Sequence, residues 1–117
     1  MASKYRAVVT EYNGRKFASK TEAKRAAELE LLQRGGKISN LEYQPRFTLI
    51  PQFLYHSFTT VKKTEYVGDF GYYDCETLNH VVEDVKGFET PLFKLKQKLF
   101  WKEYPMTCVN CCMIFSN

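Results

Sequence analysis

From Val81 to Lys86 the chain reads Val-Val-Glu-Asp-Val-Lys, an apolar run with three charged side chains in it. The β-branched residues predict a short buried strand. Buried charges are costly unless they are paired or hold a metal, so this segment limits the folds available to the chain. Alternate residues of a strand point to opposite faces, which puts Asp84 and Lys86 on one side and Glu83 on the other. Glu83 then faces the other layer or pairs with a cation there, unless a bulge reverses the two faces. A second acid, Asp69, stands in a similar run, Tyr66-Val67-Gly68-Asp69-Phe70.

The rest of the chain supplies helices and turns around these strands. Its 117 residues predict one domain, 1–117. Residues 4–10 read as an extended arm leading to a turn at Tyr12-Asn13-Gly14, with Arg15-Lys16-Phe17 able to return as a hairpin. Ser19 followed by Glu22 is a capping-box pattern that opens a helix, and Gly35-Gly36 ends it. Ile38 to Leu41 reads as a turn. Arg46 to Ile50 and Phe53 to Thr60 read as one interrupted strand or as two. Val61 to Glu65 reads as a turn or strand start, Glu65 to Tyr73 as a strand, and Val81 to Lys86 as the next. Thr90-Pro91 opens a second helix through Leu92 to Tyr104, with Leu92, Leu95, Leu99 and the nearby aromatics inward. Met106 to Phe115 reads as a last strand. The expected class is α/β (α+β), a mixed β-sheet flanked by two helices.

Two acids and a lysine from neighbouring strands suit metal-dependent phosphodiester hydrolysis. Carboxylates hold Mg²⁺, or Mn²⁺, and a lysine orients or deprotonates the attacking water. Asp69 and Asp84 are the expected metal ligands, with the Val85 carbonyl as an extra oxygen and Lys86 as the lysine. Glu22 can cap its own helix, yet spacings of four and seven put it on the stripe of Ala26 and Leu29, towards the sheet.

Asp69, a hairpin, and then Asp84-Val85-Lys86 resemble the signature of the PD-(D/E)xK nuclease superfamily. Gly68 stands where that family often has proline, and Glu22 matches the position of a helix glutamate that the family commonly adds. Phe17 through Lys98, about two-thirds of the chain, is similar to a group of small uncharacterised phage-encoded proteins. The shared pieces are a Ser-Lys-x-Glu-Ala helix start, Gln-Pro, Asp-Phe and Glu-Asp-Val-Lys-Gly. The resemblance implies a restriction-endonuclease-like core, catalytic Glu22, Asp69, Asp84 and Lys86, and Mg²⁺. It also implies DNA as substrate, branched or double-stranded as in Holliday-junction resolution during recombination, and a homodimer, since two strands must be cut.

The charge of +4 permits a polyanionic partner without demanding one. Lys20 and Lys24, in a basic cluster with Arg15, Lys16 and Arg25, and Lys94 and Lys98 on the second helix are candidate phosphate contacts. Thr90 can reach a phosphate or cap its helix. Gln44 reads as a loop residue satisfying backbone groups. Cys108, Cys111 and Cys112 resemble half a zinc site, with only Cys75, His56 and His80 left to complete it, but free thiols are the simpler reading. No apolar run is long enough to span a bilayer and the first residues lack a signal-peptide core, so a cytoplasmic, membrane-free protein is expected. Two rival functions are a nucleic-acid-binding protein with a degenerate site and a phage structural or interaction protein.

Overall fold

Asn13-Gly14 closes a tight hairpin between β1 (Thr10–Tyr12) and β2 (Arg15–Phe17), with both turn residues at positive φ, 53° and 81°. Such a turn matches the twist of the paired strands, which is why Asn-Gly marks it in the sequence. The computed structural model describes residues 9–85 and 90–105. The expected final strand over 106–115, with Cys108, Cys111 and Cys112, lies outside the described residues, as do Lys86 and the first part of the arm.

Helix α1 (Lys20–Arg34) begins where Ser19 Oγ accepts a hydrogen bond from the Glu22 N–H at 3.1 Å. Its buried stripe, Glu22, Ala23, Ala26 and Leu29, lies against a three-stranded sheet in the order β3-β8-β9. These strands are β3 (Ile38–Tyr43), β8 (Phe70–Asp74) and β9 (His80–Glu83). The segment from Ile38, expected to turn, is therefore a strand. Its register slips between Ser39 and Glu42, and Asn40 takes φ 56°, an irregularity that disguised it as a turn.

The remaining strands are β4 (Arg46–Ile50), β5 (Phe53–Tyr55), β6 (Thr59–Val61) and β7 (Thr64–Val67). β4 pairs with β7, and β5 with β6. The ladder continues from β3/β8 into β4/β7 across a bend, where the Gln44 N–H donates to the Asp69 carbonyl and the Gly68 N–H to the Pro45 carbonyl, both at 3.0 Å. One long antiparallel ribbon thus runs from the sheet to the β5–β6 tip. The strand expected over Glu65 to Tyr73 is broken at this bend into β7 and β8. Every pairing among the described residues is antiparallel, so the parallel part of a mixed sheet is not among them. The class is α+β.

Helix α2 (Pro91–Glu103) is capped by Thr90, whose Oγ1 accepts from the Phe93 N–H at 3.0 Å. It packs on the β4/β7 arm, where Phe100 meets Phe47 at a ring separation of 4.9 Å and Tyr66 at 5.2 Å. Phe93 and Phe100 are its buried residues, while Leu92 and Leu95, expected inward, are exposed. The larger aromatic rings win the inner face because they remove more apolar area from water.

Candidate functional site

The bend in the ribbon is where the acids gather. The register Phe70↔Glu83 places Asp69 opposite Asp84 at the open end of the β8–β9 ladder, and the Asp69 N–H donates to the Glu83 carbonyl at 2.9 Å. Strand β9 stops at Glu83, so Asp84 and Val85 lie just past its end rather than within it. The Val85 N–H donates to Asp69 Oδ2 at 2.6 Å. Val85 therefore meets the site through its N–H.

Gly68 makes the bend possible. A Cβ there would stand 2.7 Å from Val82 Cγ1, closer than packed atoms tolerate. Proline, the residue that often precedes the first acid in the resembling family, would carry that Cβ and would lose the N–H donated to Pro45. Gln44, across the bend, takes φ 52°, an uncommon conformation for a residue with a side chain. Gln44 joins the bend through its main-chain N–H and borders the cavity of Asp69.

Asp84 is fully buried and accepts a hydrogen bond from the Tyr66 hydroxyl at 2.9 Å. It borders a cavity of about 290 Å³ shared with Tyr66, Thr90, Phe93 and Lys96. Asp69 borders a smaller cavity of about 50 Å³ with Glu22, Gln44, Arg15 and Lys16. Asp69 is thus the hinge between Glu22 on the α1 side and Asp84 on the α2 side. Burial, then the charge of Asp84, then that of Glu22 push its carboxyl up to about 7, against the opposing hydrogen bond from Val85.

Three carboxylates in an arc are a hard-oxygen donor set suited to Mg²⁺, and their mutual repulsion is what a divalent cation would relieve. Among the described residues no three His, Cys, Asp or Glu side chains form a ready metal cage. Mg²⁺ does not need one: it takes one or two carboxylates and fills its octahedron with water and substrate phosphate. Asp69 and Asp84 fit that requirement, with Glu22 next to Asp69.

A family model described as "Protein of unknown function (DUF1064)" matches residues 2–115. The chain belongs to the DUF1064 family. No curated protein and no solved structure matches it.

In this DUF1064 protein Glu83 does turn away from Asp84. It is 1% exposed and takes a two-pronged contact from Arg25 on α1, Nε to Oε1 at 2.7 Å and Nη2 to Oε2 at 2.6 Å. The Tyr72 hydroxyl donates to the same carboxylate. The hydrogen bond to Glu83 holds the Arg25 guanidinium charged more firmly than usual, while burial and then Glu83 hold the Tyr72 proton in place. Arg25 is therefore engaged inside the fold and leaves the basic cluster expected at the start of α1. Arg15 lies over the Tyr43 ring, 4.1 Å from its centroid. Lys20, Lys24, Lys94 and Lys98 are exposed, and Thr90 is the α2 cap.

Sequence reasoning missed two groups of the DUF1064 site. Tyr66 was read only as a strand residue, although it stands three residues before Asp69 on an arm that reaches Asp84. Lys96 was passed over for the stripe of Lys94 and Lys98. Its spacing of three from buried Phe93 was the signal, since it carries the Lys96 side chain to the cavity of Asp84.

Proposed function

We propose that this chain is a metal-dependent DNA endonuclease that hydrolyses phosphodiester bonds with Mg²⁺. The observation that carries the proposal is Asp69 facing Asp84 at the end of a ladder, beside Glu22, with its carboxyl pushed up to about 7. Evolution tolerates such repulsion where a bound cation or substrate offsets it. Branched DNA as the substrate, and a homodimer, follow from the resemblance alone.

Asp69 and Asp84 would hold the ion, with Glu22 and the Val85 carbonyl as further oxygens. The ion, when bound, lowers the pKa of water and neutralises phosphate charge. The chain's own groups do the rest. Val85 N–H and Tyr66 hydroxyl fix the orientation of the two carboxylates. Lys86 is proposed to orient the water or take its proton, and Lys96 to draw a phosphate towards the Asp84 cavity. Oxygen from water bonds to phosphorus, the bond from phosphorus to the sugar oxygen breaks, and the leaving oxygen takes up a proton as water gives one up.

A second reading is nucleic-acid binding without hydrolysis. Its support is that Asp69 and Asp84 already accept hydrogen bonds from Val85 and Tyr66. One assay separates the two. Four-way, forked and linear DNAs are incubated with protein in Mg²⁺, Mn²⁺ or chelator, alongside Asp84→Asn. The hydrolase reading expects metal-dependent cleavage that Asp84→Asn lowers by a thousandfold or so while binding persists. Binding with no cleavage under any metal selects the second reading.

A further inference from the structure

The far end of the ribbon carries apolar side chains that nothing among the described residues covers. Phe53, Leu54 and Tyr55 on β5 are exposed, and Phe58 in the turn is 94% exposed. An isolated two-stranded hairpin is marginal in water, so an uncovered aromatic tip points to an occupant. The tip is nonetheless shaped: His56 and Ser57 close it with φ of 56° and 61°, and the Tyr55 and His56 rings meet at 4.3 Å.

The charge around the tip says which occupant. The chain has 13 Asp and Glu, yet none lies in residues 43–64, a stretch that holds Arg46, Lys62 and Lys63. Glu65 at its foot is already bridged to Lys63 at 3.2 Å and Arg46 at 3.3 Å. A phosphate backbone laid along this arm meets cations and no uncompensated acid. The rings suit bases. Phe53 and Tyr55 are two apart on one face, cross-strand from Val61 and Thr59. That spacing is about 6.7 Å along the strand, roughly twice the 3.4 Å rise of stacked bases, so one base fits between the rings.

We propose that the β5–β6 hairpin is a stacking platform for unpaired bases of single-stranded DNA, with Phe53, Tyr55 and Phe58 as its contacts. Every base has a π-face, so the platform takes strands of any sequence. Phe58, its farthest contact, lies at most about 40 Å of extended chain from Asp69, roughly one turn of duplex. The inference concerns binding and goes beyond the hydrolytic reading.

The test is anisotropy of a labelled single strand of about 20 nucleotides, in chelator so that no cleavage intervenes. Wild type should bind it, and the combined variant Phe53→Ser, Tyr55→Ser, Phe58→Ser should bind at least about tenfold more weakly. Phe58→Trp should bind as wild type does, because the ring is kept, and duplex affinity should change by no more than about twofold. Circular dichroism checks that the variants are folded. Absence of wild-type binding, or equal binding by the Ser variant, overturns the proposal. So does sedimentation showing a wild-type dimer that the Ser variant dissolves with single-strand affinity unchanged, since a second copy is then the occupant. Cleavage with Mg²⁺ is assayed separately: if wild type cleaves while the Ser variant keeps its single-strand binding in chelator, the stacking idea fails and the hydrolase reading stands.

Discussion

The two ends of one ribbon are built on opposite rules. At its base, around Gly68-Asp69 and the end of β9, charged groups are inside: Glu83, Asp84 and Glu22 are buried and Asp69 nearly so. At its tip, Phe53, Leu54, Tyr55 and Phe58 are outside. Between them the two cores follow ordinary burial, with Leu29, Phe70, Val82 and Phe100 inside. Both departures lower the stability of the free chain, one by desolvating charge and one by wetting apolar surface. Within the base there is a further contrast. Glu83 has a full set of partners, whereas Asp69 has neighbours of its own sign.

That contrast gives the largest effect on stability. Arg25→Ala leaves Glu83 buried without its cation, and removing one partner of a buried pair costs about 3–5 kcal/mol. Urea unfolding should show a loss of that size with an unchanged m-value. Replacing both partners, as Arg25→Met with Glu83→Leu, should recover most of it. A small loss for Arg25→Ala alone would mean that Tyr72 suffices for Glu83 and that the pair does not join α1 to the sheet.

Asp69 should behave in the opposite sense. Its carboxyl is raised from 3.8 to about 7 in the fold. Below pH 4 or so both folded and unfolded chains hold the proton. Between the two values the unfolded chain has lost it and the folded chain has not, so stability falls as pH rises, levelling off above about 7. Asp69→Asn removes this slope. Thermal melts of the metal-free protein should show the variant close to wild type at acid pH and more stable at pH 8, by an amount on the order of a few kcal/mol. An equal difference at both pH values would mean that burial and repulsion do not govern Asp69.

How much of this could be read from residues alone depends on range. Helix α1 was legible because Ser19, Glu22 and Gly35 act within a turn of the backbone they cap, and Asn13-Gly14 declares its own hairpin. The alternation that set Glu83 apart from Asp84 was legible too, since it needs only period two. The partners were not. Arg25 and Glu83 are 58 residues apart, and nothing local distinguishes Arg25 from Lys24. The bend was hidden because it is made by Gln44-Pro45 and Gly68-Asp69 together, each unremarkable by itself. The inner face of α2 was half legible: its aromatics and Leu99 do turn inward, but Leu92 and Leu95 do not, because leucine spacing competes with two phenylalanines whose partners, Phe47 and Tyr66, come from another arm.

The bend offers the next test. Gly68→Ala sets a methyl 2.7 Å from Val82 Cγ1, a fully buried side chain. Overpacking of this kind costs about 1–3 kcal/mol, and Val82→Ala in the same chain should return part of it by making room. Because Asp69 follows directly, the proposed cleavage should be lost under conditions where Gly68→Ala is still folded. If Gly68→Ala is as stable and as active as wild type, the close approach of β7 to β9 is not what aims Asp69.

The smallest effect belongs to the tip. Phe58 touches little, and surface changes away from caps, cores and ion pairs stay within about 0.5 kcal/mol. Phe58→Ser should therefore leave the unfolding midpoint nearly where it is, and solubility should rise as an apolar group leaves the surface. The value of this prediction is its asymmetry with Arg25→Ala, since both change one large side chain on the same ribbon-and-helix frame. A loss beyond about 1 kcal/mol in Phe58→Ser would show that the tip is packed in solution against protein, and its rings would then belong to the architecture rather than to a nucleic-acid partner.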